Sequence, residues 1–154
     1  MNSKNMTLVY SAIVLLILWL SLLMGGCKKA PINEDVEGLW RLEEFTTLDD
    51  GETHRCERLF YSITRFVVEV AEKQGTNGYG AYIGRFAYDN DGEAVVMKEF
   101  KQRASTGDNG KDATPEQLMP YGMNRTETTF RIVEADGKRL VLESDYARLN
   151  LTAF

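Results

Sequence analysis

Tyr79-Gly80-Ala81-Tyr82-Ile83-Gly84-Arg85-Phe86-Ala87-Tyr88-Asp89-Asn90-Asp91-Gly92-Glu93-Ala94-Val95-Val96-Met97-Lys98-Glu99-Phe100 is the stretch that decides the fold class. Tyr82, Phe86 and Tyr88 lie an even number of residues apart, so an extended chain puts all three rings on one face. Asp89-Asn90-Asp91-Gly92 is a turn signal, and the run after it is rich in Val and Phe, which suit a pleated surface. The reading is a β-hairpin.

Working outward, the same grammar recurs. Leu39, Trp40 and Leu42, interleaved with Arg41 and Glu43, predict a first strand that ends at Asp49-Asp50-Gly51. Arg58 to Glu72 is long enough for a helix, but its Val, Ile, Phe and Tyr content predicts two strands divided near Thr64-Arg65. Gln74 to Gly78 reads as a turn. A further hairpin joins Glu127–Glu134 to Arg139–Glu143 across Asp136-Gly137, and Ala147–Phe154 is the last strand. Phe130 with Ile132, Leu140 with Leu142, and Leu149 with Leu151 each share a face, while Arg131, Glu143, Arg148 and Asn150 point the other way. About eight strands joined by short turns are antiparallel neighbours, and they close most easily as a small up-and-down barrel. A β-sandwich is the alternative. Arg103–Met123 breaks the rhythm with Gly107, Gly110, Pro115, Pro120 and Gly122. Inside it, Thr114-Pro115-Glu116-Gln117 has the cap, first-turn proline and capping-box glutamine of one short helix, placed at the barrel mouth.

The 154 residues open with a different composition. Leu8 to Leu23 carry no charge, and every Asp and Glu lies beyond residue 33. Lys4, the apolar run and the small Gly25-Gly26 have the form of a signal peptide over residues 1–26. Leu23-Met24-Gly25-Gly26-Cys27 resembles the lipobox of bacterial lipoproteins, with Met24 where Leu is usual. That resemblance implies cleavage before Cys27 and acylation of its thiol with diacylglycerol and palmitate-type chains. The polar residues up to Asp35 then form a tether, and residues 36–154 form the barrel domain. The expected address is the bacterial cell envelope, lipid-anchored in the outer membrane, with the domain outside the cytoplasm. An uncleaved signal anchor is the rival, but Lys4 and Lys28-Lys29 flank the run on both sides and give no clear orientation.

Lys and Arg number 18 against 23 Asp and Glu, a net charge of −5, and the leader removes only one lysine from that balance. No nucleic-acid partner is expected from an acidic domain. With one His, and with Cys27 committed to acylation, a structural zinc site is excluded and no cofactor is expected. His54 and Cys56 are two apart and could share a strand face, but no third residue orients them, so no catalytic role is assigned. Cys56 is expected to be a free, partly buried, inert thiol. Asp89, Asp91 and Glu93 lack the full calcium-loop pattern and read as a hairpin turn.

Gly38-Leu39-Trp40 on the first strand looks like the Gly-x-Trp signature of the lipocalins. The arrangement through Leu142-Glu143-Ser144-Asp145-Tyr146-Ala147-Arg148-Leu149 resembles the lipocalin-like domains of bacterial lipoproteins. The resemblance implies a barrel with a cavity, Trp40 at its closed end, and an Arg from the last strand over that indole, for which Arg148 is the candidate. Small Gly80 and Gly84 alternate with large rings, leaving space beside them. Trp40, Tyr61, Tyr82, Phe86 and Tyr88 are accordingly the candidate ligand-binding residues, with Arg103–Met123 across the mouth. The expected function is non-enzymatic binding of a small apolar or amphipathic molecule or an envelope component. A solid-core interaction module is the alternative.

Overall fold

In the computed structural model, which describes residues 32–103 and 110–154, the alternating segments all become strands. They are β1 (Gly38–Thr47), β2 (Thr53–Thr64), β3 (Val67–Glu72), β4 (Ala81–Asp89), β5 (Ala94–Gln102), β6 (Thr128–Ala135), β7 (Arg139–Glu143) and β8 (Ala147–Ala153). Each pairs antiparallel with its sequence neighbours, and β1 also pairs with β8, so the sheet closes into an eight-stranded up-and-down barrel. Closure removes the free sheet edges that a sandwich would keep. The expected signal peptide, Cys27 and the first part of the expected tether lie outside the described residues. None of the described helices is long and apolar enough to cross a membrane.

Inward positions follow the pleat. β4 turns Tyr82, Gly84 and Phe86 inward and Ile83, Arg85 and Ala87 outward. Several strands keep an apolar inner face only by slipping register. On β1 the slip between Leu42 and Glu44 turns Glu43 and Glu44 away from the core, so Trp40 and Leu42 below it and Phe45 above it stay inside. Opposite it, β2 carries two more residues than β1 between the Leu42–Leu59 and Glu44–Arg55 pairs. On β5, Glu99 takes φ +55° and bulges opposite Gly84, so that both Met97 and Phe100 reach the core.

β2 starts at Thr53, earlier than the expected Arg58, and β4 starts at Ala81 because Gly78 and Gly80 sit at φ +74° and +83°. The Asp89–Gly92 turn is tightened into a 3-10 turn, with the Asp89 carboxylate accepting from the Asn90 N–H at 2.9 Å.

Both barrel ends are covered. At one, Asn33 accepts from the Val36 and Glu37 N–H groups, and the resulting turn packs Val36 into the core. Glu37 Oε1 accepts from the Ile32 N–H at 2.7 Å and from the Tyr88 hydroxyl at 3.0 Å. The end of the expected tether therefore folds back onto the barrel. At the other end sits α1 (Pro115–Leu118), followed by a 3-10 turn, Met119–Tyr121. Gln117 Oε1 accepts from the Thr114 N–H at 3.0 Å, as the capping reading predicts. Gly122, at φ +78°, stops the turn and lets the chain drop back to β6.

Candidate ligand-binding site

Trp40, Tyr61, Tyr82 and Phe86 all point into the barrel, where they belong to one packed cluster with Phe100, Tyr121 and Phe130. Trp40 lies at the end covered by Val36, and its indole N–H donates to the Val36 carbonyl at 2.8 Å. Phe86 meets Tyr88 edge-on with centroids 5.1 Å apart, and Tyr82 meets Tyr121 edge-on at 6.2 Å. Tyr88 is half-buried at the Trp40 end and is held by Glu37. Burial and the Glu37 contact push its phenol well above the ordinary tyrosine range.

The space expected beside Gly84 is taken. A Cβ on Gly84 would meet Phe100 Cδ1 and the Lys98 carbonyl oxygen, each at 2.8 Å. At Gly80 a Cβ would come within 3.2 Å of the Tyr82 hydroxyl. These glycines admit neighbouring rings.

The mouth is built differently. Tyr121 hangs beneath the 3-10 turn; its hydroxyl donates to the Gly80 carbonyl at 2.7 Å, and its own carbonyl accepts from the Tyr61 hydroxyl. Leu118, Tyr121 and Met123 are fully buried, so this segment is a plug. Complete burial lifts the Tyr61 phenol well above its usual range. Beside the plug is a hollow of about 480 Å³, reached by Phe45, His54, Leu59, Asn77, Tyr79 and Pro120. It exists because the β2–β3 ladder starts only at Leu59, with one further bond from the Lys73 N–H to the Arg58 carbonyl, leaving residues 53–57 of β2 unpaired on that side. Phe45 and His54 stack across β1 and β2 with centroids 4.7 Å apart and form an aromatic wall. Arg55, Cys56 and Glu57 line the hollow as well, so a polar flank faces the aromatic wall, which is the chemistry of a site for an amphipathic molecule.

Cys56 and His54 form no dyad. The Cys56 thiol faces the His54 backbone carbonyl, at 3.6 Å. Burial, with Glu44 and Glu43 nearby, pushes this thiol up to about 12, the reverse of an activated nucleophile. Arg148 does not cover Trp40: it is exposed on the outer face and pairs with Glu143 at 3.3 Å, because strand alternation sends it opposite to Leu149 and Leu151. Phe66, on the β2–β3 turn, is 57% exposed. Among the described residues no cluster of His, Cys, Asp and Glu could hold a metal ion.

Sequence reasoning named the aromatic interior but missed Tyr121 and the Phe45–His54 wall. Leu118, Tyr121 and Met123 recur at close spacing after a capped helix start, which is a signal for a buried turn. Nothing in the sequence places Phe45 against His54 without knowledge of the strand register.

With this geometry in view, comparison with known proteins adds one decisive match: residues 22–154 fit the family described as lipocalin-like domain. The chain belongs to that family. The lipocalin-like barrel superimposes on a lipocalin-like protein from Bacteroides uniformis with a TM-score of 0.57 and 16% identity, over 78% of this chain and 99% of that one. An uncharacterized protein from Bacteroides eggerthii gives a TM-score of 0.56 and 13% identity, over 77% of this chain and 98% of that one. At these identities the likeness concerns the fold. Among curated proteins none matches the chain.

Proposed function

We propose that this lipocalin-like chain is a non-enzymatic envelope lipoprotein, anchored through acyl chains on Cys27, whose barrel binds a small apolar or amphipathic molecule at its mouth. The observation that carries the reading is the hollow of about 480 Å³ between the Phe45–His54 wall and the plug. Its size suits a small ligand, one wall is aromatic, and Arg55, Glu57 and Asn77 line it as polar partners. Trp40, Tyr61, Tyr82 and Phe86 pack in the core and do not line it. Lipid anchoring rests on the lipobox-like Leu23–Cys27, since two or more acyl chains give a stable hold on a bilayer. The packed interior favours a second reading, a solid barrel that serves as a protein-interaction module.

Two measurements test the proposal. Intact mass of the membrane-extracted protein should lack residues 1–26 and carry added acyl mass on Cys27; a Cys27→Ser chain that is still processed and still partitions with membranes overturns the anchor. Titration with laurate and with N-phenyl-1-naphthylamine should give saturable binding that weakens about tenfold in Phe45→Ser. Absence of saturable binding leaves the interaction-module reading.

A further inference from the structure

On the outer wall of the barrel, around the extra residues of β2, lies a groove of about 660 Å³. Its floor is unexpected for an outward position. Phe60, between the inward Leu59 and Tyr61, faces away from the core and is nevertheless almost fully covered. The Phe154 ring meets it edge-on with centroids 5.0 Å apart, and Phe154 itself is 72% exposed. Lys73 Nζ stands 5.4 Å from the Phe60 ring centroid. An aromatic pair on a solvated face is thus roofed by a cation.

A second cation stands at the rim. Arg58 holds φ +58°, a backbone region that bulky residues seldom adopt, and its guanidinium Nη1 donates to the neutral Gln74 amide oxygen at 3.2 Å. The Lys73 N–H donates to the Arg58 carbonyl at 2.9 Å, which fixes the two residues side by side. Among the described residues neither Arg58 nor Lys73 has a carboxylate within ion-pair distance. Arg41, also on the groove, is already tied to Glu43 at 2.6 Å, and Glu57 is the other carboxylate that lines it. The groove therefore joins two aromatic rings to two cations whose charge no side chain neutralises.

We propose that this groove binds a small planar organic anion, an aryl carboxylate or sulfonate, with its ring against the exposed Phe154, which the covered Phe60 braces, and its acid group on Arg58 and Lys73. The site lies outside the barrel, on the opposite side of the wall from the core, and does not depend on the mouth hollow being a ligand site. Charge-assisted hydrogen bonds to the acid supply selectivity, and the exposed Phe154 ring supplies the apolar face.

The test is calorimetric titration of the full-length protein in maltoside micelles with 2-naphthalenesulfonate, with 2-naphthalenesulfonamide as the neutral comparator and protein-free micelles as the blank. Saturable sulfonate binding is expected. It should fall about tenfold in Arg58→Gln/Lys73→Gln, while the sulfonamide binds both proteins equally weakly. Circular dichroism verifies that the variant folds, and Lys73→Gln alone serves if the double variant does not. N-phenyl-1-naphthylamine should not displace the sulfonate. Loss of the naphthylamine signal alone counts against the mouth site and leaves this groove standing. Absence of saturable sulfonate binding, an unchanged affinity in the charge variants, or full displacement by the naphthylamine overturns the proposal.

Discussion

At the covered end of the barrel the Trp40 indole buries a large apolar body and still needs an acceptor for its N–H, which the Val36 carbonyl supplies. Removing the ring forfeits its burial and leaves a cavity that a closed barrel refills poorly, so Trp40→Ala should cost about 3–5 kcal/mol. Tyr82 is packed edge-on against Tyr121 in the same cluster, and Tyr82→Ala should cost a comparable amount. Urea unfolding of both variants checks this; a Tyr82→Ala loss far below that of Trp40→Ala would mean that the ring borders open space. The orientation of Trp40 was legible because a Gly-x-Trp strand start and the period of two agree on it. The surroundings of Tyr82 were not, because the space beside a glycine reads the same whether it stays open or receives Phe100.

Among the elements, the contact of β4 with β5 shows how a single residue sets the spacing of two strands. Gly84 faces the Glu99 bulge, and a methyl group there would collide with the Lys98 carbonyl and the Phe100 ring. The backbone cannot retreat without breaking the ladder, so Gly84→Ala should destabilise by about 1–3 kcal/mol, read as a lower thermal midpoint with the strand content retained. Such contacts mark where pattern reading succeeds and where it stops. β7, at Arg139–Glu143, has the bounds read from its sequence, because Asp136-Gly137 opens it and Ser144-Asp145 closes it. The start of β2 was lost because the extra residues at Glu57-Arg58 reset the phase, and alternation counted across a bulge has no constant period. The mouth hollow was illegible for a related reason. Its walls come from β1, β2, the β3–β4 turn and the plug, which meet only once the barrel is closed.

For the molecule as a whole, the buried phenols tie stability to pH. Tyr61, Tyr88 and Tyr121 are all raised above the ordinary tyrosine value, in each case chiefly by burial. In the unfolded chain they lose their protons near pH 10, while the folded barrel keeps them neutral. The unfolded state then binds fewer protons, so the stability these groups contribute is intact below about pH 10 and declines as pH rises beyond it. Urea midpoints measured between pH 8 and pH 11 should therefore fall steeply above 10. Tyr121→Phe, which gives up the hydrogen bond to Gly80, should flatten that fall. A midpoint that stays level to pH 11 would contradict the burial of these hydroxyls.

The seam of the barrel has a mechanical consequence. β1 is the first strand to leave the N-terminal segment, and it is hydrogen-bonded along both flanks, to β2 and to β8. A force drawn along the β1 axis would load both ladders in shear, so that they could not be peeled one bond at a time. Before the load reaches them it must open the Glu37 carboxylate's grip on the Ile32 N–H and the Tyr88 hydroxyl. A domain pulled by its own leash would therefore let go of that clasp first and keep its barrel shut.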